Sequence, residues 1–334
     1  MSLFNRVYKL VVGPGGSQGV EISELRLAFS INKTAGKKPN NSDIRIWNLA
    51  KNTRQLLEKP GTRCVLYAGY SEDNGPVKMF EGDVSFAWTK YESPDVITQL
   101  DLAEGIREIR DTAVSLSYGS SATSDDILRD LARQMGLSLD LASGSVSRNW
   151  RNGISFHGPA RAALDRVTRA SGLSWSVQAG ALQIVQTGGT TTRRAISLSA
   201  QSGMVETPER QREGAQQAAQ VTDQAENRTR RVNSATQGSD GWLVKSLLLP
   251  FIVPNDPVRL EARAVDGVFV AHEVRHIGDS HTGDWRTELK LVEPRVAVRL
   301  AQQQRERGTT GNRGTTPAAV SPSSSLPTPP VPPT

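Results

Sequence analysis

Val265-Asp266-Gly267-Val268-Phe269-Val270-Ala271-His272-Glu273-Val274-Arg275-His276-Ile277-Gly278-Asp279 supports two readings, and the choice between them decides the fold. Within it, His272-Glu273-Val274-Arg275-His276 matches H-E-x-x-H. That pattern holds zinc when a helix brings residues four apart onto one face, with the glutamate as general base. The surroundings favour a strand. Asp266-Gly267 is a two-residue hairpin turn between residues 258–265 and 268–277, both β-branched and apolar. In an extended chain Val268, Val270, His272, Val274 and His276 share one face. Four strand steps cover about 13 Å, too far for two imidazoles that must each lie about 2 Å from one zinc. His281 does not complete a metzincin set: Gly278 and His281 follow His276 by two and five residues, where that pattern needs three and six. The strand reading predicts a non-enzyme. A zinc peptidase using His272, Glu273 and His276 is kept as the alternative, separable by metal analysis.

Working outward, residues 1–105 repeat the β signal. Val7 to Val12 is apolar and broken by Gly13-Pro14-Gly15-Gly16; Leu25, Leu27 and Phe29 alternate with polar residues, as do Ile44 and Ile46. Ala50 to Leu57 is a short helix stopped by Pro60-Gly61. Cys64, Leu66, Ala68 and Tyr70 share a face; Asp73-Asn74-Gly75-Pro76 is a turn; Phe80, Val84, Phe86 and Trp88 lead through Ser93-Pro94-Asp95 to Val96, Thr98, Leu100 and Leu102. Strands punctuated in this way predict a barrel or sandwich.

Residues 106–187 change character. Thr123-x-x-Asp126 is a capping box, followed at helical spacing by Ile127, Leu128, Leu131 and Met135 and stopped by Gly136. Pro159 at the first helical position starts a second helix through Leu164, Val167 and Ala170 to Gly172. Gly136-Leu137-Ser138-Leu139 parallels Gly172-Leu173-Ser174-Trp175, giving two helix–strand units, the second extended by a hairpin through Ala179-Gly180. Residues 188–301 return to β, interrupted by residues 206–241, too polar to fold alone and expected as a loop or weak helix. Residues 302–334 are rich in Pro, Ser and Thr and expected to be a disordered tail. The expected fold is mainly β with a small α/β insert.

The charge balance is +6 among 334 residues, with an isoelectric point near 9.6 and a mean hydropathy of −0.41. The basic excess is thinly spread; its densest cluster, Arg228, Arg230 and Arg231, reads as a solvated face. A basic nucleic-acid-binding β protein is the second alternative, testable by salt-dependent binding. No signal-peptide pattern opens the chain, and the single cysteine, Cys64, excludes an internal disulfide and multi-thiolate metal sites. Assembly in a cytoplasm is expected. Gly13 to Gly19 fits neither phosphate-loop pattern, and G-x-S-x-G does not occur. Cys64, Trp88, Trp175, Trp242 and Trp285 read as core, and His157 as structural. No residue is assigned a catalytic, cofactor-binding or metal-binding role, and no cofactor is expected.

Several segments, taken in order, carry a resemblance. They are Asn41-Ser42-Asp43-Ile44-Arg45-Ile46-Trp47-Asn48-Leu49, Thr53-Arg54-Gln55-Leu56-Leu57, Val65-Leu66-Tyr67-Ala68-Gly69-Tyr70 and Phe80-Glu81-Gly82-Asp83-Val84. Ser246-Leu247-Leu248-Leu249-Pro250, Gly267-Val268-Phe269-Val270, His276-Ile277-Gly278-Asp279 and Asp284-Trp285 continue it. Together they resemble the Mu-like baseplate hub proteins of contractile-tailed bacteriophages. The resemblance implies two tube-like β-barrel domains, at residues 1–105 and 188–301, flanking the module at 106–187. It implies a homotrimer whose six barrels form a ring. That ring would join a six-fold tail tube, or its initiator protein, to a trimeric spike, and its bore would pass DNA without sequence-specific binding. The tape measure protein is a further implied partner, and the virion baseplate the implied location. Residues 206–241 and the proline-rich tail depart from the family pattern.

Overall fold

In a computed structural model, the described residues are 5–14, 19–37, 39–59, 61–73, 75–142, 147–212, 220–223, 228–231, 240–294, 296–298 and 300. The expected tail at 302–334 lies outside them. The first β unit holds β1 (Arg6–Pro14), β2 (Val20–Ile22), β3 (Leu27–Thr34), β4 (Asn40–Trp47), α1 (Lys51–Leu57), β5 (Thr62–Tyr70), β6 (Gly75–Glu92) and β7 (Asp95–Glu104). An α/β module follows: α2 (Ile106–Arg110), β8 (Ala113–Tyr118), α3 (Ser124–Gln134), β9 (Ser138–Leu141), β10 (Ile154–Pro159), α4 (Ala160–Ser171), β11 (Leu173–Gln178) and β12 (Ala181–Gln186). The second β unit holds β13 (Ile196–Leu198), β14 (Glu209–Arg212), β15 (Gln220–Asp223), β16 (Arg228–Arg231), β17 (Asp240–Leu247), β18 (Pro257–Ala262), β19 (Val265–Asp279) and β20 (Trp285–Val292).

The protein is mainly β with a small α/β insert. Its two β units share one sheet, in the order β14-β17-β20-β19-β3-β4-β7-β6-β5-β1-β2, with β13 joined through β18. The sheet wraps two cores. Leu10, Phe29, Ile31, Ile44, Leu66 and Leu100 centre the first. Val244, Val258, Leu260, Phe269, Val274 and Leu289 centre the second. Burying each such side chain stabilises by about 1.5–3 kcal/mol. A third core, around Leu131, Leu164, Trp175 and Ile184, belongs to the α/β module.

The two β units repeat one design. The first runs β3-β4-β7-β6-β5-β1 and the second β14-β17-β20-β19-β18-β13. Each contains a long strand that changes neighbours. β6 pairs with β5 up to Asp83 and with β7 from Asp83 onward. β19 pairs with β18 up to Val270 and with β20 from Val270 onward. Each carries a one-residue bulge just past that point, at Ser85 between Val84 and Phe86, and at His272 between Ala271 and Glu273.

The bulge corrects one expectation. Val268, Val270, His272, Val274 and His276 do not share a face. Phe269 and Ala271 join the core before the bulge and Val274 after it, because one extra residue shifts the alternation by one. Val268 is exposed.

In the module, Thr123 and Asp126 make the expected capping box: the Thr123 hydroxyl accepts from the Asp126 N–H and the Asp126 carboxylate from the Thr123 N–H. Ala179 and Gly180, both at positive φ, turn the β11–β12 hairpin. Pro159 precedes α4 instead of opening it and pairs with Ala113 on β8, a β8–β10 ladder the sequence reading lacked. Residues 206–241, expected as a loop or weak helix, include β14, β15 and β16. Polar strands can form because ladder hydrogen bonds need no apolar side chain. Cys64, Trp175 and Trp285 are core as expected; Trp88 is exposed.

Gly278 sits where β19 passes between Phe29 of β3 and Trp285 of β20, whose rings pack edge to face at 5.3 Å. A Cβ at this position would lie 2.3 Å from Phe29 Cζ and 2.8 Å from Trp285 Cε3. Both rings are buried, so neither can yield cheaply. Gly278→Ala is expected to destabilise the protein by about 1–3 kcal/mol, read as a lower denaturant midpoint. An unchanged midpoint would show that this strand crossing is loosely packed.

Candidate functional site

The site is a surface. It is built around the ladder that joins the two β units, where β19 pairs antiparallel with β3 from Glu273↔Thr34 to Asp279↔Ala28. Because directly opposed residues share a face, the ladders place Ser30 and Asn32, Asp43 and Arg45, Gln99 and Asp101, Arg275 and Ile277, and Arg286 and Glu288 on one side. The intervening residues Phe29, Ile31, Ile44, Ile46, Leu100, Leu102, Val274 and Leu289 are buried on the other side. One face is therefore core and the other a polar field of alternating sign. Arg286 Nη2 lies 3.0 Å from Glu288, and Arg275 Nε donates to Ser30 Oγ at 3.3 Å. Asp43 stands opposite Asp101. Burial raises the Asp43 carboxyl above its ordinary range, Asp101 adds to this, and Arg45 and Arg275 oppose it.

Side chains stitch the same junction. Arg26 Nη2 donates to Asp279 Oδ2 at 2.8 Å and Nε at 3.2 Å, while its guanidinium lies 4.3 Å from the Trp47 ring centroid. Arg6 donates to the carbonyls of Asp279 and Gly283, both at 3.0 Å. Leu248 N–H donates to Tyr70 Oη at 3.0 Å.

The H-E-x-x-H residues lie on this strand rather than on a helix. His272 is the bulge residue and lines a small cavity with Trp175, Gln183 and Asn255. Glu273 is half-exposed, 3.7 Å from Lys290. His276 is fully buried, its Nδ1 2.9 Å from Thr287 Oγ1. His281 is exposed and its Nδ1 meets Ser280 Oγ at 3.0 Å. The strand separates these groups, so the arrangement offers no shared metal position. His157 is exposed on β10. Among the described residues, no group of three His, Cys, Asp or Glu side chains is placed to hold a metal.

Sequence reading missed the buried charges beside this strand. Lys33 is fully buried, and among the described residues its Nζ makes no hydrogen bond. Burial lowers its pKa, and Glu104 partly opposes that. Glu104 is likewise buried and accepts from Asn40 Nδ2 at 2.9 Å; burial raises its pKa against Lys33 and Asn40. The signal was present: period-two alternation puts Lys33 on the inward face with Leu27, Phe29 and Ile31.

The family model described as baseplate hub gp41 matches residues 9–224. No curated protein matches the chain in sequence. Among solved structures, the chain is similar to the 43 kDa tail protein of prophage MuSo2 from Shewanella oneidensis. The identity is 12%, the TM-score 0.57, and the match covers 86% of this chain and 98% of that one. It is also similar to the tail protein from Neisseria meningitidis MC58. There the identity is 13%, the TM-score 0.57, and the coverage 88% and 98%. At these identities the two likenesses concern the fold.

Burial drives the His276 pKa well below its ordinary value of 6.5; nearby Lys33 adds to this and the Ile252 backbone partly opposes it. In the unfolded chain the ring titrates near 6.5. The folded state therefore carries no penalty from this group above about pH 6.5. As pH falls below that value, the unfolded state binds the extra proton and stability drops by up to about 1.4 kcal/mol per pH unit. Native carboxylates contribute their own acid slope, so the measurement is a comparison. Denaturant unfolding of wild type and His276→Gln between pH 7.5 and 5 should show a shallower decline in the variant. Equal slopes would mean that His276 takes up its proton in the fold as readily as in the unfolded chain.

Proposed function

The chain belongs to the baseplate hub gp41 family, and on that premise we propose that three copies form the adaptor between a six-fold tail tube and a three-fold spike. In this reading each copy supplies its two repeated β units, so three chains present six similar units in a ring. The observation that carries it is the single sheet running through both units, with the repeat order β3-β4-β7-β6 followed by β14-β17-β20-β19. A molecule built as two equivalent units, joined edge to edge, can meet six-fold symmetry on one side and three-fold on the other. The tube or its initiator would contact the six units, and the spike the three chains. The tape measure protein and then DNA would pass through the bore.

The polar face suits the wall of such a bore. Arg45 and Arg275 are interleaved with Asp43, Asp101 and Glu288. Tight binding to nucleic acid draws on many phosphate contacts from one sign of charge. A wall of mixed sign lets a polyanion pass without gripping it. We assign the protein no catalytic step, and place it in the tail baseplate after assembly in the host cytoplasm.

Native mass spectrometry of the hub co-expressed with its cognate spike tests this reading. Three hubs with three spikes are expected, and the trimer fraction should rise with spike because binding favours the assembled form by mass action. A hub dimer, or a monomer at high concentration with spike present, would overturn it.

A further inference from the structure

The repeat has one unequal feature. Beyond its bulge, β19 is paired on both edges, with β20 on one and β3 on the other. The equivalent half of β6, from Phe86 to Glu92, pairs with β7 on one edge. On its other edge, the pairing with β5 stops at Asp83. Among the described residues nothing takes the place that β3 takes beside β19. At the far end of the sheet β14, the counterpart of β3, is paired with β17 on one edge alone among the described residues. Among the described residues the repeat thus leaves these two unlike edges open, and the interior β19–β3 junction shows how such edges meet.

We propose that the Phe86–Glu92 half of β6 in one copy pairs antiparallel with β14 of the next copy, in the register of the internal β19–β3 ladder. The register follows from the ladders. Starting at Phe86, the first residue past the β6 bulge, successive opposed residues are Asp101, Asp43 and Ser30. Starting at Glu273, the first past the β19 bulge, they are Lys290, Leu243 and Glu209. Glu209 therefore stands where Ser30 stands, and Lys90, four residues beyond Phe86, stands where Ile277 stands. Ser30 pairs with Ile277 inside the chain. Between copies, Glu209 then faces Lys90, and Gln211 faces Trp88, as Asn32 faces Arg275.

Two further observations fit this occupant. The register was derived from backbone pairing alone, yet it sets a cation opposite an anion. In the single copy Lys90 instead pairs with Glu92 on its own strand. The open half of β6 also exposes Phe86 at 60% and Tyr91 at 74%, with Trp88 at 37%. Exposed aromatics beside an unpaired strand edge are an association surface. A contact between unlike edges is heterologous and closes only as a ring. The inference rests on the trimeric reading and names its seam.

Engineered cysteines test it. Directly opposed antiparallel residues have Cα atoms about 4.5–5.5 Å apart, within disulfide reach. The native Cys64 is buried, and burial raises its pKa, so it stays inert. Full-length Lys90→Cys and Glu209→Cys proteins are mixed and oxidised, and each is oxidised alone. Covalent dimers in the mixture but not in either single variant are expected, and the double variant should give covalent trimers. Wild type is examined in parallel by native mass spectrometry. Wild-type trimers together with no cross-link in the mixture would overturn the seam and leave the trimeric reading standing. Absence of self-association at any concentration, with spike present, would overturn both. A charge swap gives a second readout. Lys90→Glu or Glu209→Lys should weaken association about two- to fivefold per seam, and the two together should restore it. Additive losses in the double variant would count against the pairing of Lys90 with Glu209.

Discussion

The pairing of β19 with β3 is the constraint from which the rest of the architecture follows. It joins strands more than two hundred residues apart in the chain and makes one sheet of two units. Each of its hydrogen bonds contributes only about 0.5–1.5 kcal/mol net. Its larger effect is geometric, because a ladder on both edges fixes which face of β19 turns inward. The bulge at His272 makes this compatible with the rest of the strand. Before it, β19 supplies Phe269 and Ala271 to the second core; after it, Val274 continues that face. Were the same sequence to alternate strictly with no bulge, Glu273 and Arg275 would turn inward.

The junction also carries a cost. Lys33, Glu104 and His276 are buried beside it, and for each of them burial disfavours the charged form. Such groups stabilise little compared with apolar residues of similar volume. Glu104 and His276 do make the junction specific, since each takes a hydrogen-bond partner from a particular strand. His276 meets Thr287 of β20, and Glu104 of β7 accepts from Asn40 of β4.

The α/β module braces both units from the side. Gln178 Nε2 donates to the Thr34 carbonyl at the end of β3, and the Ala179 N–H donates to Glu104. Gln183 Nε2 donates to the Pro254 carbonyl, and Asn255 Nδ2 to Gln183 Oε1. One small hairpin thereby touches the end of the first unit and the loop that leads into β18. This restricts how far the units can hinge about their shared ladder.

Much of this was legible in the residues themselves. Alternation marked Phe29, Ile44, Leu66 and Leu100 as inward, and the capping box at Thr123 and the hairpin at Ala179-Gly180 formed as read, because those signals act over a few neighbouring residues. The β-branched, apolar residues leading into them were enough to make His272 and His276 strand residues and to remove the helix that a zinc site requires, although the hairpin turns at Arg263-Ala264 and not at Asp266-Gly267. Tertiary structure decided the rest. The bulge at His272 depends on having β18, β3 and β20 around one strand, and no local pattern states that. In residues 206–241, β15 pairs with β16 and β14 with β17 through backbone ladders that need no apolar side chain, so their polar composition hid them. The single sheet and the open edges of β6 and β14 arise from strand order. Alternation tells which face of a strand is inward, while its neighbour is chosen by long-range pairing that leaves no period in the sequence.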